Sequence, residues 1–228
     1  MRSLRRIILV LLLLVIGAYS LYASDLPKWF PFNEDNALKE WQEKIFKNKV
    51  MYSIAATNTP DGHLLAQSNQ ACSGLIYRLK LDVKQFPNMS WDWKVTRFPN
   101  KKSGNQDTTG WIEKDDYAAR VYVIFSSWNF MNIKSLEYVW DETLPEEKVM
   151  SSPYFDNIKL IVAQSGRESL DAWVMENRNI YEDYKKAFGK EPPRYATAIA
   201  LMTDADNTLS TAEAMYKNLK VGDKYEPR

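Results

Sequence analysis

The sequence predicts a mainly β fold, a jelly-roll or concanavalin-like β-sandwich, and three observations predict it. Short segments that alternate apolar and polar residues recur along the chain, separated by Pro, Gly, Asn and Asp turn signals. A single segment has a convincing helical pattern, so the repeated β-α-β rhythm of a parallel sheet is missing. Aromatic residues make up 13% of the chain, with 8 Trp and 13 Tyr against only 8 Gly. Aromatic side chains fit a pleated, half-buried surface.

The first segment is not part of that fold. Arg2, Arg5 and Arg6 precede an apolar run from Ile7 to Gly17 (IILVLLLLVIG), the order of a secretory signal. Ala18-Tyr19-Ser20 offers a small-x-small cleavage site, with Ala23 as an alternative. Left uncut, Ile7 to Ala23 is close to the shortest membrane span, with the basic end cytoplasmic. Residues 1–23 therefore read as a signal peptide or an N-terminal anchor. The rest is expected outside the cytoplasm, in the periplasm or tethered to the inner membrane. Residues 24–40 are a Pro-punctuated lead-in, and 41–228 a single sandwich domain.

The elements follow in order. Ala37 to Phe46 reads as one or two helical turns or an edge segment. Tyr52 to Ala56, His63 to Ser68 and Gly74 to Val83 are short strands. Thr59-Pro60-Asp61-Gly62 makes a turn in which Pro presets one dihedral and Gly allows positive φ. Met89 to Val95 alternates, with Met89, Trp91, Trp93 and Val95 on one face and Ser90, Asp92 and Lys94 on the other. Arg97 to Gly110 is polar and turn-rich, hence a loop. Residues 115–125 form a strand with Tyr117, Ala119, Val121, Val123 and Phe125 inward, and Asp116, Ala118, Arg120 and Tyr122 on a polar outer face. Leu136 to Trp140, Ile158 to Ala163 and Ala172 to Asn179 are further strands, the last with Trp173 inside it. Ile180 to Phe188 is the helix, ended by Gly189 and Pro192-Pro193. Tyr195 to Thr203 is a buried strand, and Leu219 to Val221 closes the sheet.

Composition excludes several functions. Removing residues 1–20 takes three Arg and no acid, so the formal charge moves from +1 to −2. No basic excess is left for nucleic acid. Cys72 is the only cysteine and His63 the only histidine, which rules out an internal disulfide and a multi-His zinc site. Cys72 reads as a small buried side chain.

Two groups of residues carry candidate chemistry. Asp204, Asp206 and Thr208 have the 1-3-5 spacing of a calcium loop, although Leu209 and Met215 stand where an EF-hand needs Gly and Glu. No cofactor is expected, and Ca²⁺ is the one cation this spacing leaves open. The bland reading is an Asx-rich turn. A phosphatase-type D-x-D-x-T is set aside, because only 20 residues follow Thr208 and the crossover helices are missing.

The second group is Asp115, Asp116 and Arg120, with Glu176, Arg178 and Asp183. These side chains form either one cross-strand ion network that sets the register of the sheet or a groove that binds hydroxyl groups. Two of Asp116, Glu176, Asp204 and Asp206 would suit a glycoside hydrolase or lyase if their spacing allowed. Trp91, Trp93 and Trp173 read as core or sheet-packing rings. Trp111, Trp128 and Trp140 lie in or beside loops, where a ring can stack on a sugar.

W-x-W at 91–93, DDYAARVYVIF at 115–125, LEYVW at 136–140, W-x-x-E-x-R-N at 173–179, D-Y-x-x-x-F-G at 183–189 and ALMTDADNT at 200–208 occur in that order. Together they resemble a bacterial family of exported proteins known only as domain of unknown function 3047. The resemblance runs from about Trp41 to Val221. It implies a β-sandwich and an envelope location, and no established activity. Asp92 departs from it, since a basic residue is expected between the two Trp. More distantly the architecture is similar to carbohydrate-binding modules and glucanase-like sandwiches.

The sequence reading is therefore a periplasmic, non-catalytic binding domain for a glycan or other polyhydroxylated envelope ligand. Asp116, Arg120, Glu176 and Arg178 would make the polar contacts, with Trp128 or Trp140 stacking. The alternatives are the hydrolase or lyase above and a structural or assembly protein of the envelope.

Overall fold

The computed structural model describes residues 26–101, 115–126 and 133–223. Within them the chain forms a jelly-roll-class sandwich of two sheets and one helix. The first sheet runs β11 (Val174–Asn179), β6 (Asn88–Arg97), β13 (Thr211–Asp223), β4 (His63–Asn69), β3 (Met51–Ala55), with β1 (Lys28–Phe30) paired to the C-terminal end of β13. The second runs β2 (Gln42–Lys47), β5 (Cys72–Asp82), β12 (Tyr195–Asp204), β7 (Arg120–Phe125), β8 (Lys134–Asp141), β10 (Ile158–Ser165), β9 (Val149–Ser151). The β8–β10 pair is parallel.

The core lies between the sheets, and period-two alternation fills it. β6 sends in Met89, Trp91, Trp93 and Val95; β5 sends in Leu75, Tyr77, Leu79 and Leu81; β7 sends in Val121, Val123 and Phe125. The Trp91 and Trp93 rings meet edge to face at 5.3 Å, and Trp93 reaches Trp140 at 5.9 Å. Tyr216 crosses the core as a polar bolt. Its hydroxyl donates to the Met202 carbonyl at 2.8 Å and accepts from the Arg120 backbone N–H at 3.2 Å, so a β13 side chain fastens β12 and β7.

The predicted lead-in is part of this core. Phe30 and Phe32 are buried and pack on Trp41 at 5.2 and 5.7 Å. Ala37 to Trp41 makes turns, and edge strand β2 follows. The helix α1 (Ile180–Phe188) has the predicted limits. The Asn179 side chain accepts from the Glu182 N–H at 3.0 Å at its start, and Gly189 closes it at φ 67°.

Gly62 is needed for a different reason from the one its turn predicts. Its φ is not positive. Instead a Cβ there would lie 2.4 Å from the Asn33 Cβ and 2.6 Å from the Asn33 Cα. Gly62→Ala is expected to cost about 1–3 kcal/mol of stability in urea denaturation, since the backbone of 33 has to move; an unchanged midpoint would refute that close approach.

Candidate functional site

The expected strand over 115–125 is shorter than predicted. β7 begins at Arg120, and residues 115–119 lead into it without strand pairing. The alternation holds inside β7, where Arg120 and Tyr122 face away from the core. It fails before β7: Tyr117 packs with Val139, Ile158, Leu160 and Val162 on the outer side of the sheet, while Ala118 joins the main core.

That outer side is not an open polar face. Arg120 is 3% exposed, Glu137 2%, Asp204 2% and Asp116 0%. The Arg120 guanidinium donates from Nε and Nη2 to both Asp204 oxygens at 2.9 and 2.7 Å. Nη1 reaches Glu137 Oε1 at 2.5 Å, and Nη2 also meets the Asp115 carbonyl at 2.6 Å. The Tyr117 ring lies 4.6 Å from the guanidinium carbon. Three acids surround one cation: Asp204, Glu137 and, at 3.6 Å, Asp115. Burial works against the Arg120 charge, but Asp204, Tyr122, Glu137 and Asp115 more than offset it and hold the guanidinium ionised. Burial pushes two of these acids up against the pull of Arg120: the Asp115 carboxyl to about 7, and the Asp204 carboxyl well above its usual range.

Asp116 does not join Arg120. Its two oxygens accept the backbone N–H groups of Asn207 and Thr208 at 3.2 and 2.6 Å, so it fastens the turn after β12. The predicted calcium residues sit around that turn without forming a hard-cation site. Asp204 is taken by Arg120. The Thr208 hydroxyl meets the Ser210 hydroxyl at 2.7 Å, and Asp206 faces Lys47 at 3.4 Å. The cluster that does converge is Cys72, Asp204 and Asp206, with ligand atoms within 4.8 Å of one another. A thiol is a poor partner for Ca²⁺. Burial, then the nearby Asp204, push the Cys72 thiol well up, so it stays protonated.

Glu176 and Arg178 share a face as predicted, but in a second, separate network at the sandwich edge. In the β11–β6 register Glu176 lies beside Trp91 and Arg178 beside Met89, both on the inner face. Arg178 donates to Asp183 at 2.9 and 2.8 Å and to Glu147 at 2.5 Å, and the Tyr138 hydroxyl donates to Asp183 at 2.9 Å. Burial pushes the Glu176 carboxyl up to about 7, against Arg178. The nearby Trp93 indole N–H makes no hydrogen bond of normal geometry. Trp140, predicted as a stacking ring, is wholly buried, and its indole N–H donates to the Gly166 carbonyl at 3.0 Å. Trp128 lies outside the described residues, as do Trp111 and most of the predicted loop. The structure therefore does not join the five described residues of that predicted ligand-binding set, Asp116, Arg120, Trp140, Glu176 and Arg178, into one open groove.

The open aromatic surface is on the other sheet. Trp173, expected among the core rings, stands one residue before β11 and is partly exposed. Lys217 of β13 and Lys94 of β6 hold their ammonium groups 4.4 and 5.3 Å from its ring centroid, and the His63 ring meets it edge-on at 5.7 Å. Asp92, Met215, Gln67 and Glu213 continue this solvent-side face. Sequence reading missed it, although Lys94 was placed on the outer side of β6.

A family model described as "Protein of unknown function (DUF3047)" matches residues 39–220. The chain belongs to that family. The order of motifs from Trp91 to Thr208 had carried the same resemblance. In this DUF3047 member the departing Asp92 points outward and accepts from the Asn218 side chain at 2.7 Å. No curated protein matches the chain. Among solved structures it is similar to the family 11 carbohydrate-binding module of cellulosomal cellulase Lic26A-Cel5E of Clostridium thermocellum. Identity is 12% over 92% of this chain and 99% of that one, with a TM-score of 0.46. It is also similar to TmCBM61 solved with β-1,4-galactotriose, at 9% identity over 90% and 100% of the two chains and a TM-score of 0.40. A third is the K1 cleaved adhesin domain of Lys-gingipain from Porphyromonas gingivalis W83, at 12% identity over 82% and 92%, with a TM-score of 0.37. Likenesses this loose say nothing about which ligand DUF3047 takes.

Proposed function

We propose that this DUF3047 chain is a non-catalytic binding domain for a glycan or other polyhydroxylated component of the cell envelope, acting in the periplasm behind its basic and apolar leader. The supporting observation is the solvent-side face of the six-stranded sheet, where the partly exposed Trp173 ring is framed by Lys94, Lys217 and His63. A sugar offers an apolar ring face and a rim of hydroxyls, and such a surface provides an aromatic ring with donors beside it. The hydrolase reading has less support: Asp116 and Asp204 are sealed and bonded, and of the two acids that remain Glu176 belongs to the separate edge network while Asp206 faces Lys47.

Retention on envelope and plant polysaccharides tests the reading. Trp173→Ala is expected to weaken binding about tenfold, the worth of one stacked ring, with an unchanged melting temperature. If no polysaccharide is retained, or Trp173→Ala binds as well as the parent, the proposal fails. Co-purification of a stable protein partner in place of glycan would favour an assembly role.

A further inference from the structure

We infer that the ligand of this face is an acidic polysaccharide, a chain whose sugars carry uronic-acid carboxylates; this rests on the binding reading above. What points to an acidic ligand is which charges on the face are already used. Its acids are committed within the sheet. Asp92 accepts from Asn218 at 2.7 Å. Glu213 accepts from Gln67 and from Thr96, both at 2.6 Å, and these bonds hold its carboxyl below the usual range. Lys220, on the same side of β13, is paired with Asp223 at 2.8 Å.

Lys94 and Lys217 differ from these. Among the described residues neither takes part in a salt bridge, and both are directed at the Trp173 ring. An ammonium group has three donors, and a π face satisfies them only weakly. The two strands are adjacent, and Lys94 lies opposite Met215, two residues from Lys217. Both cations therefore border a single ring. A pyranose seated on that ring would bring any carboxylate at its edge to one or both of them, turning weak cation–π contacts into charge-assisted hydrogen bonds. A neutral sugar would stack equally well but bring no anion to either ammonium group, and the sheet acid that feels Lys94, Glu213, does so beyond salt-bridge distance. Two cations are too few for a nucleic-acid track, and the chain has a formal charge of only +1.

The test compares two polymers with the same sugar backbone, one anionic and one neutral: polygalacturonate and its fully methyl-esterified form. The full chain is used, in mild detergent because of the apolar run from Ile7 to Gly17. Polygalacturonate is expected to bind about tenfold more tightly than the ester at low salt, the worth of two surface ion pairs. That advantage should shrink as salt is added. The double variant Lys94→Gln/Lys217→Gln should bind both polymers alike, and Trp173→Ala should bind both poorly. Equal affinity of the parent for acid and ester overturns the inference, as does a double variant that keeps the preference. Trp173-dependent binding of neutral glycans alone would sink this inference and leave the binding reading intact. Failure on every polymer, neutral ones included, would sink both.

Discussion

Replacing Arg120 by methionine is expected to lower the unfolding free energy by about 3–5 kcal/mol, the usual cost of removing one partner from a buried ion group. Methionine preserves much of the volume, so the loss reports charge rather than a cavity. Asp204, Glu137 and Asp115 would be left facing one another at 2–7% exposure with no cation among them. Against a typical domain stability of about 5–15 kcal/mol such a change removes a large share. Urea denaturation of the parent and Arg120→Met measures it. A difference below about 1 kcal/mol would show the network to be dispensable. Restoring neutrality from the other side, with Asp115→Asn, should be tolerated far better, because the Asp115 carboxylate is the farthest of the three from Arg120, at 3.6 Å, and burial already raises it to about 7. The polysaccharide affinity of whatever Arg120→Met folds should be unchanged, which separates this scaffold role from the contact role the sequence proposed.

Stability should also fall as pH rises toward neutrality. Glu176 and Asp115 both have carboxyls pushed up to about 7, chiefly by burial. In the unfolded chain they titrate near 4. The folded state thus holds its protons more tightly, and the gain is complete below about pH 4 and lost as pH climbs through about 7. The molecule is expected to be more stable at pH 5 than at pH 8. Glu147 works in the opposite direction: bonded to Arg178, its carboxyl is lowered to about 2, so its contribution is complete above the ordinary carboxylate range and is lost as pH falls toward about 2. Glu176→Gln should remove one share of the slope and raise stability at pH 8 by about 2 kcal/mol. Urea titrations at pH 5 and pH 8 decide this; identical slopes for Glu176→Gln and the parent would mean that the residue is already ionised at no cost.

Local signals accounted for most of the elements. The helix was legible to the residue because its apolar spacing, Gly189 and Pro192-Pro193 all sit close together in the chain. β6 was legible because strict alternation over Met89 to Val95 gives only one way to bury three large side chains and a valine. β13 was seen only at Leu219 to Val221, and its earlier part, TAEAMYK, was missed. Ala and Glu lower its strand propensity, and pairing on both sides overrides that preference.

β11 misled for a related reason. Charged residues usually face water, which would turn Trp173 inward. As an edge strand, β11 instead points Glu176 and Arg178 into the sandwich and leaves Met175 and Trp173 outside. Inward charge on an edge discourages another strand from pairing there.

Alternation, turn chemistry and motif order, read from the chain alone, were sufficient for the sandwich, the family and the inward rows of β6 and β7, because each depends on neighbours a few residues apart. Whether an outer face stays wet was decided only in three dimensions. Tyr117 folds back over Arg120, the turn after Asp204 closes against Asp116, and Trp173 crosses to Lys217. These contacts join residues 44 to 92 positions apart or close a strand against its own lead-in. Burial is a property of what covers a side chain, and the covering segment is chosen by packing rather than by the pattern of the strand beneath it.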